Sequence, residues 1–392
     1  MIASRWPVYE EDEIAAVAGV LRSGRVNSLQ HGDYCRAFER AFGEFCHMPY
    51  AIAVANGTLA LELALRAFNI GRNDEVIVSP RSFVASAACV VTCGAIPIFV
   101  DIDPDSGNLT AATIEAVLTP ATKAIILVHL AGWPCAMDGV MTLARSHGLI
   151  VIEDCAQAHG ATWRGRPVGG LGDAGCFSFC TDKIMSLGGE GGMLLLRDAE
   201  PYHRAWSYKD HGKSFSSVHT PPHAPGYRWL HESFGSNWRL TEMQAALGLR
   251  QLTKLPDRLA HRRRNADRLT RGLLNVPGLR LALPPSESGH AYYKYYAYVR
   301  PEQLKPGWDR QRIFETVLAQ GVPCYTGTCP EIYREIAFGS AGLGPSQRLP
   351  VARALGETSL MFPVDGTLDN QAMDAISQAV RKVMHVAAET TG

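Results

Sequence analysis

The sequence has no excess of either charge: 38 Lys and Arg stand against 38 Asp and Glu in 392 residues. That balance gives no reason to expect nucleic acid or an anionic membrane as the main partner. No apolar run reaches the length of a membrane span. The N-terminus, "MIASRWPVYEEDEIAAV", lacks the basic-then-apolar order of a secretory leader and turns acidic early. No C-x-x-C pair occurs among the ten cysteines, several of which lie inside apolar runs. In a chain this long they read as reduced core thiols, not as a disulfide framework. Internal repeats and low-complexity tracts are also missing. The expectation is a cytoplasmic protein.

What is present is a rhythm. The composition, 46% hydrophobic and 19% charged, suits a chain that can bury a large core. After amphipathic segments at 11–21 and 34–45, short β-rich runs alternate with helical ones. "YAIAV" (50–54), "EVIVS" (75–79), "IPIFVDI" (96–102), "KAIILVHL" (123–130) and "GLIVIED" (148–154) read as strands. "TLALELALRAF" (58–68), "FVASAACVVTC" (83–93) and "MTLARSH" (141–147) read as helices. The alternation predicts an α/β fold with a mostly parallel sheet covered by helices on both faces.

"GCFSF" (175–179) and "GGMLLLR" (191–197) are expected to add edges to that sheet. Residues 198–236, rich in His, Ser, Pro and aromatics, read as an irregular excursion. A helix at 241–252 leads to Pro256, and the arginines of the basic helix beyond it read as a solvated face. A strand at 292–300 and helices at 309–320, 349–359 and 369–386 complete the chain. The expected division is a large α/β domain over 1–255 and a smaller C-terminal α+β domain over 256–392.

Two apparent motifs fail on context. "GLGDAG" (170–175) matches G-x-G-x-x-G, but it follows a polar turn and runs into a strand, where a dinucleotide fingerprint must follow a strand and open a helix. Among the histidines at 203, 211, 219, 223 and 231, only 219 and 223 have i,i+4 spacing, and Pro221 and Pro222 between them forbid a helix. They read as loop residues, and no metal is expected.

Other features fit one another. Asp154 ends an apolar strand and Gln157 follows three residues later; the ends of strands are where open α/β sheets bind ligands, although caps and turns use the same residue types. "NGT" (56–58) joins a strand to a helix, giving either an anion site at Gly57 or a plain N-cap at Thr58. Phe83 could stack on a planar ligand or pack in the core. In "FSFCTDKIMSLGGEGG" (177–192), Lys183 sits between an apolar run and glycines. An anion cradle, an aromatic face, a carboxylate and a lysine at one sheet edge form the set that pyridoxal phosphate requires. The phosphate needs donors, the ring needs a flat partner and a carboxylate at its nitrogen, and the aldehyde needs an amine.

The blocks "NGTLALELAL", "GRNDEVIVSPRSFVASA", "GAIPIFVDID", "VIEDCAQAHGA", "GDAGCFSFCTDKIMSLGGEGG" and "GSNWRLTEMQAALGLRQL" together resemble the DegT/StrS-type family of nucleotide-sugar aminotransferases. The resemblance covers nearly the whole chain and implies the PLP-dependent transferase type I fold, that of aspartate aminotransferase. It implies that Lys183 forms the Schiff base with the cofactor and then moves the proton. Asp154 would pair with the pyridine nitrogen, Gln157 would contact the ring's 3′ oxygen, and Phe83 would stack on the ring. Gly57, Thr58 and Ser178 would bind the phosphate. Asn237 would reach the phosphate of a neighbouring subunit, so that a homodimer is required.

The implied reaction carries an amino group from an amino acid, L-glutamate in the family pattern, through pyridoxamine 5′-phosphate to a keto group, at C4, of a nucleotide-linked keto-deoxysugar. The alternatives are a sugar dehydratase, against which Lys183 itself argues because those relatives carry histidine there, and a non-catalytic PLP-binding regulator. The segment 292–300 lacks a histidine often seen in the family.

Overall fold

The apolar runs pair into one seven-stranded sheet in the computed structural model, which describes residues 2–29, 31–220 and 226–388. The strands are β1 (Tyr50–Val54), β2 (Glu75–Val78), β3 (Ile96–Phe99), β4 (Thr122–Val128) and β5 (Ile150–Asp154). A two-residue pair follows, β6 (Thr162–Trp163) with β7 (Arg166–Pro167), then β8 (Ala174–Ser178) and β9 (Gly192–Leu196). The large sheet runs β1-β9-β8-β5-β4-β2-β3. Only β9 is antiparallel to its neighbours. The strands are apolar almost throughout because both faces are covered. Ile125, Val151 and Met193 pack into one buried cluster, Ile52, Ile126 and Leu194 into another.

Expectation and structure differ at four places. β8 and β9 do not extend the sheet's edge. They lie in its interior, and the first strand, β1, closes that edge by pairing with β9. Residues 198–236 are not wholly irregular, since Ala199–Lys209 is a helix and Phe215–His219 a short one. Pro201 falls in the first turn, where a missing N–H is tolerated.

The helix before Pro256 does not end there. One helix runs from Glu242 to Leu273 with Pro256 inside it. A proline inside a helix costs about 3 kcal/mol. Buried side chains on both sides, Ala245 and Leu255 before it and Leu259, Ala266 and Leu269 after it, offset that loss. The helix therefore crosses the boundary expected at 255. Finally, its arginines are only partly a solvated face: Arg264 and Arg271 are exposed, but others are not. Arg262 is buried and donates to the Tyr292 and Tyr293 carbonyls, Arg263 donates to the His290 carbonyl, and Arg258 meets Glu13.

Beyond this helix, β10 (Leu279–Leu281), β11 (Ser288–Gly289), β12 (Tyr295–Val299) and β13 (Ser359–Phe362) follow. A small antiparallel sheet, β10-β12-β13, has its own apolar cluster under the helix Asn370–Ala387, while β11 pairs with β6. All ten cysteines are free thiols. Among the described residues, no helix is long and apolar enough to cross a membrane.

Candidate active site

Asp154 is the last residue of β5, at the carboxyl end of the sheet, and is 4% exposed. Its Oδ2 accepts from Ser86 Oγ at 2.7 Å and its Oδ1 from the Ala156 amide at 3.1 Å. Burial pushes this carboxyl above its ordinary range, while the Ser86 and Ala156 bonds and the charge of Lys183 pull it back. Gln157 lies one turn on. Its Oε1 accepts from the Ala131 amide at 2.7 Å, which makes the NH2 end the donor available to a ligand.

The other side of the site is the start of the helix Gly57–Ala67. Asn56 caps it, accepting from the Leu59 amide at 3.0 Å. The cap is therefore Asn56 and not Thr58. A Cβ on residue 57 would stand 2.5 Å from Ser178 Cβ. Only glycine lets this helix start close on the end of β8, and the closeness sets its first amides beside the Ser178 hydroxyl. Such a concentration of N–H and O–H donors at a helix N-terminus suits a phosphate.

Lys183 occupies the turn between β8 and β9. Its Nζ is 3.2 Å from Asp182 Oδ1 and 3.5 Å from the Tyr293 hydroxyl. Tyr293 in turn donates to the other Asp182 oxygen. The turn is held from outside by the N-terminal segment. Trp6 Nε1 donates to the Lys183 carbonyl at 2.8 Å, and the Tyr9 hydroxyl meets Ser186 Oγ at 2.9 Å and the Gly188 amide at 3.2 Å. The Trp6 ring lies under the guanidinium groups of Arg258 and Arg262, at 5.0 and 5.6 Å. Ser4 Oγ donates to Asp365 at 2.7 Å.

Gly57, Thr58, Phe83, Asp154, Gln157, Ser178 and Lys183 all line one cavity of about 570 Å³. Phe83 is 66% exposed and stands at its rim. Asn237 is not there. It pairs with Asp210 and lines a separate surface groove with Asn27, Ser28 and Arg239. Within one chain, the structure thus gathers seven of the eight expected residues. The donor set fits pyridoxal phosphate: an amine for the aldehyde, a buried carboxylate for the ring nitrogen, an amide NH2 for the ring oxygen and a helix start with a hydroxyl for the phosphate.

Sequence reasoning missed Ser82, Ser86, Asp182 and Tyr293, of which the first three also line the cavity. The available signals were the position of Asp182 next to Lys183 and the four-residue spacing of the two serines. It also missed a buried pair behind the site. His129 Nε2 donates to Glu153 at 2.9 Å while its Nδ1 accepts from the Cys135 amide. The amides of Gly169, Leu171 and Gly172 complete the carboxylate's shell. Burial alone would raise Glu153, but the His129 bond and these amides hold it below its ordinary range. The glycine string therefore does bind an anion, one supplied by its own chain.

His203 and His219 are helical rather than loop residues, and both stack on Phe215. His223, Pro221 and Pro222 lie outside the described residues.

A family model for the DegT/DnrJ/EryC1/StrS aminotransferases matches residues 7–381. The chain is similar to an aminotransferase from Psychrobacter cryohalolentis of known structure, 50% identical, with 97% of this chain and 98% of that one covered and a TM-score of 0.95. It is 41% identical over 300 residues to the L-glutamine:2-deoxy-scyllo-inosose aminotransferase of Streptomyces fradiae, covering 74% of this chain and 70% of that one. It is 45% identical over 233 residues to the GDP-perosamine synthase of Caulobacter vibrioides, covering 59% and 60%.

Proposed function

The chain belongs to the DegT/DnrJ/EryC1/StrS aminotransferase family, and from that premise we propose that it aminates a keto group, at C4, of a nucleotide-linked keto-deoxysugar, with L-glutamate as donor and pyridoxal phosphate held by Lys183. The observation that carries the proposal is the meeting of the Lys183 amine, the buried Asp154 carboxylate and the Gly57–Ser178 donors around one cavity. The sugar reading draws on relatives such as the GDP-perosamine synthase. A relative with an L-glutamine donor makes glutamine the competing choice.

When bound, the cofactor would supply an electron sink conjugated to the reacting carbon. The chain's own residues do the rest. Lys183 Nζ would hold the aldehyde end of the cofactor and, as a free amine, would take a proton and return it, and Asp182 would offer that amine a carboxylate while it carries charge. Asp154, when ionised, would favour a proton on the ring nitrogen. Gln157 would donate to the ring oxygen through its NH2. The first amides of the helix Gly57–Ala67, with Thr58 and Ser178, would bind the phosphate, and Phe83 would cover one ring face.

The proposal includes a homodimer acting in the cytoplasm, with Asn237 serving the partner's site. Its support is the position of Asn237 on a surface groove of its own and the exposure of Tyr227, Trp229 and Phe234. The free thiols suit a reducing compartment.

The test is to reconstitute the protein with pyridoxal phosphate and add single amino acids. Glutamate should bleach the visible band, and the resulting form should aminate one member of a panel of GDP-, UDP- and dTDP-linked keto-sugars, read by product mass. A band that no amino donor bleaches overturns the reading.

A further inference from the structure

Asp154 has a buried support that the roles above leave unused. Ser82 Oγ lies 2.9 Å from Ser86 Oγ, and Ser86 Oγ donates to Asp154 Oδ2 at 2.7 Å. The two serines are 2% and 1% exposed. A hydroxyl has one proton. Since that of Ser86 goes to the carboxylate, the bond between the serines must run from the Ser82 O–H to the Ser86 oxygen. The donors therefore all point one way, from Ser82 to Ser86 to Asp154.

Resting on the reading that Asp154 meets the cofactor's ring nitrogen, we propose that Ser86, with Ser82 behind it, is a positioning residue that keeps the Asp154 carboxylate ionised and fixes which oxygen faces that nitrogen. Ser86 is the only side chain that donates to Asp154 among the described residues. The basic groups near Asp154 are Lys183 and His129. His129 is committed to Glu153, the neighbour of Asp154 in β5. The thiols of Cys89, Cys155 and Cys176 also face it and stay neutral, because burial holds them well above their ordinary range.

Without Ser86, Oδ2 would be buried with no side-chain donor, and burial would then favour the neutral acid. A neutral Asp154 cannot balance the charge of a protonated ring. Ser82 adds to the effect by orienting the Ser86 proton, and bonds in such a chain strengthen one another. Ser82 also lines the cavity next to Phe83, so the relay links the ring's covering face to its nitrogen.

The experiment uses full-length protein reconstituted with pyridoxal phosphate carrying 15N in the ring, and follows the 15N chemical shift with pH. Wild type should hold a protonated nitrogen across its range of stability. In Ser86→Ala the nitrogen should lose its proton inside that range, about one pH unit or more below the highest pH at which wild type is still protonated, a loss of proton affinity of roughly tenfold or more. Ser86→Thr, which keeps the hydroxyl, should keep the nitrogen protonated as in wild type, and Ser82→Ala should lower its proton affinity less than Ser86→Ala.

A merely structural role would lower the melting temperature and leave this titration alone. If Ser86→Ala does not fold, Ser86→Cys, a weak donor of similar shape, takes its place with a shift of the same sign. A variant nitrogen that titrates with wild type overturns the inference and leaves the placement of Asp154 standing. An unprotonated nitrogen in wild type overturns that placement, and the inference with it.

Discussion

Gly57 and Ser178 are in contact across the floor of the cavity, so close that a Cβ on residue 57 would overlap the serine side chain at 2.5 Å. The contact is between backbone and a strand end, with no long flexible chain to give way. Gly57→Ala should therefore push the helix start off β8 and spread the phosphate donors. We expect at least tenfold weaker pyridoxal phosphate binding, measured by equilibrium titration, with little change in the far-ultraviolet spectrum. Wild-type affinity in this variant would remove the pair from the phosphate site.

Lys183→Ala should abolish turnover while cofactor still binds without a covalent bond. Borohydride treatment followed by mass spectrometry checks this directly. Wild type should gain the mass of one reduced cofactor at Lys183, and the variant should gain nothing.

Asp182→Asn should be mild by comparison. Burial raises the Asp182 carboxyl, but the Lys183 charge and the Tyr293 bond bring it below its ordinary range. Its side chain is 55% exposed, and pairs of this kind contribute about 0.2–1 kcal/mol. Turnover should fall by no more than about fivefold, measured at saturating donor. Complete loss would show that Asp182 handles the proton itself.

Glu153→Gln probes the pair behind the site. Removing the charge from a fully buried carboxylate that accepts from His129 and three backbone amides costs about 3 kcal/mol, read as a lower melting temperature at neutral pH. The folded-state carboxyl is depressed, so its stabilisation is complete above the unfolded value of about 4.3 and is lost as pH falls through the folded value. The gap between wild type and variant should therefore narrow as the solution is made acidic. A gap independent of pH would mean that shape, and not charge, stabilises this region.

Asn237 lends itself to a mixing experiment. Lys183→Ala and Asn237→Ala should each be inactive alone. Equal mixtures allowed to exchange subunits should recover up to about one quarter of wild-type activity, because half the dimers are mixed and each mixed dimer has one intact site. No recovery would confine Asn237 to its own subunit.

Much of this was legible because strands and strand-end residues announce themselves locally. The runs at 50–54 and 150–154 needed only their own apolar residues, and Asp154 and Gln157 followed from the end of one of them. What stayed hidden depended on partners distant in sequence. Nothing near Arg262 says that its charge will be spent on the Tyr292 and Tyr293 carbonyls, and nothing near Pro256 says that packing on both flanks will carry the helix through. The interior place of β8 and β9 was hidden for the same reason, since it depends on β1 returning to pair with β9. Ser86 was invisible because its meaning lies in a bond to a residue 68 positions away.

The strap formed by residues 4–9 has a consequence for how the protein is made. The partners of Tyr9, Ser186 and Gly188, are made with the sheet, but Trp6 also packs under Arg258 and Arg262, and Ser4 bonds Asp365, so part of what holds this segment is made only after the sheet. β1 to β9 can assemble earlier, as N-terminal units do during translation. A nascent chain arrested before residue 258 would thus have its sheet and the bonds from Trp6 and Tyr9 to the lysine turn, but not the arginines that pin the Trp6 ring.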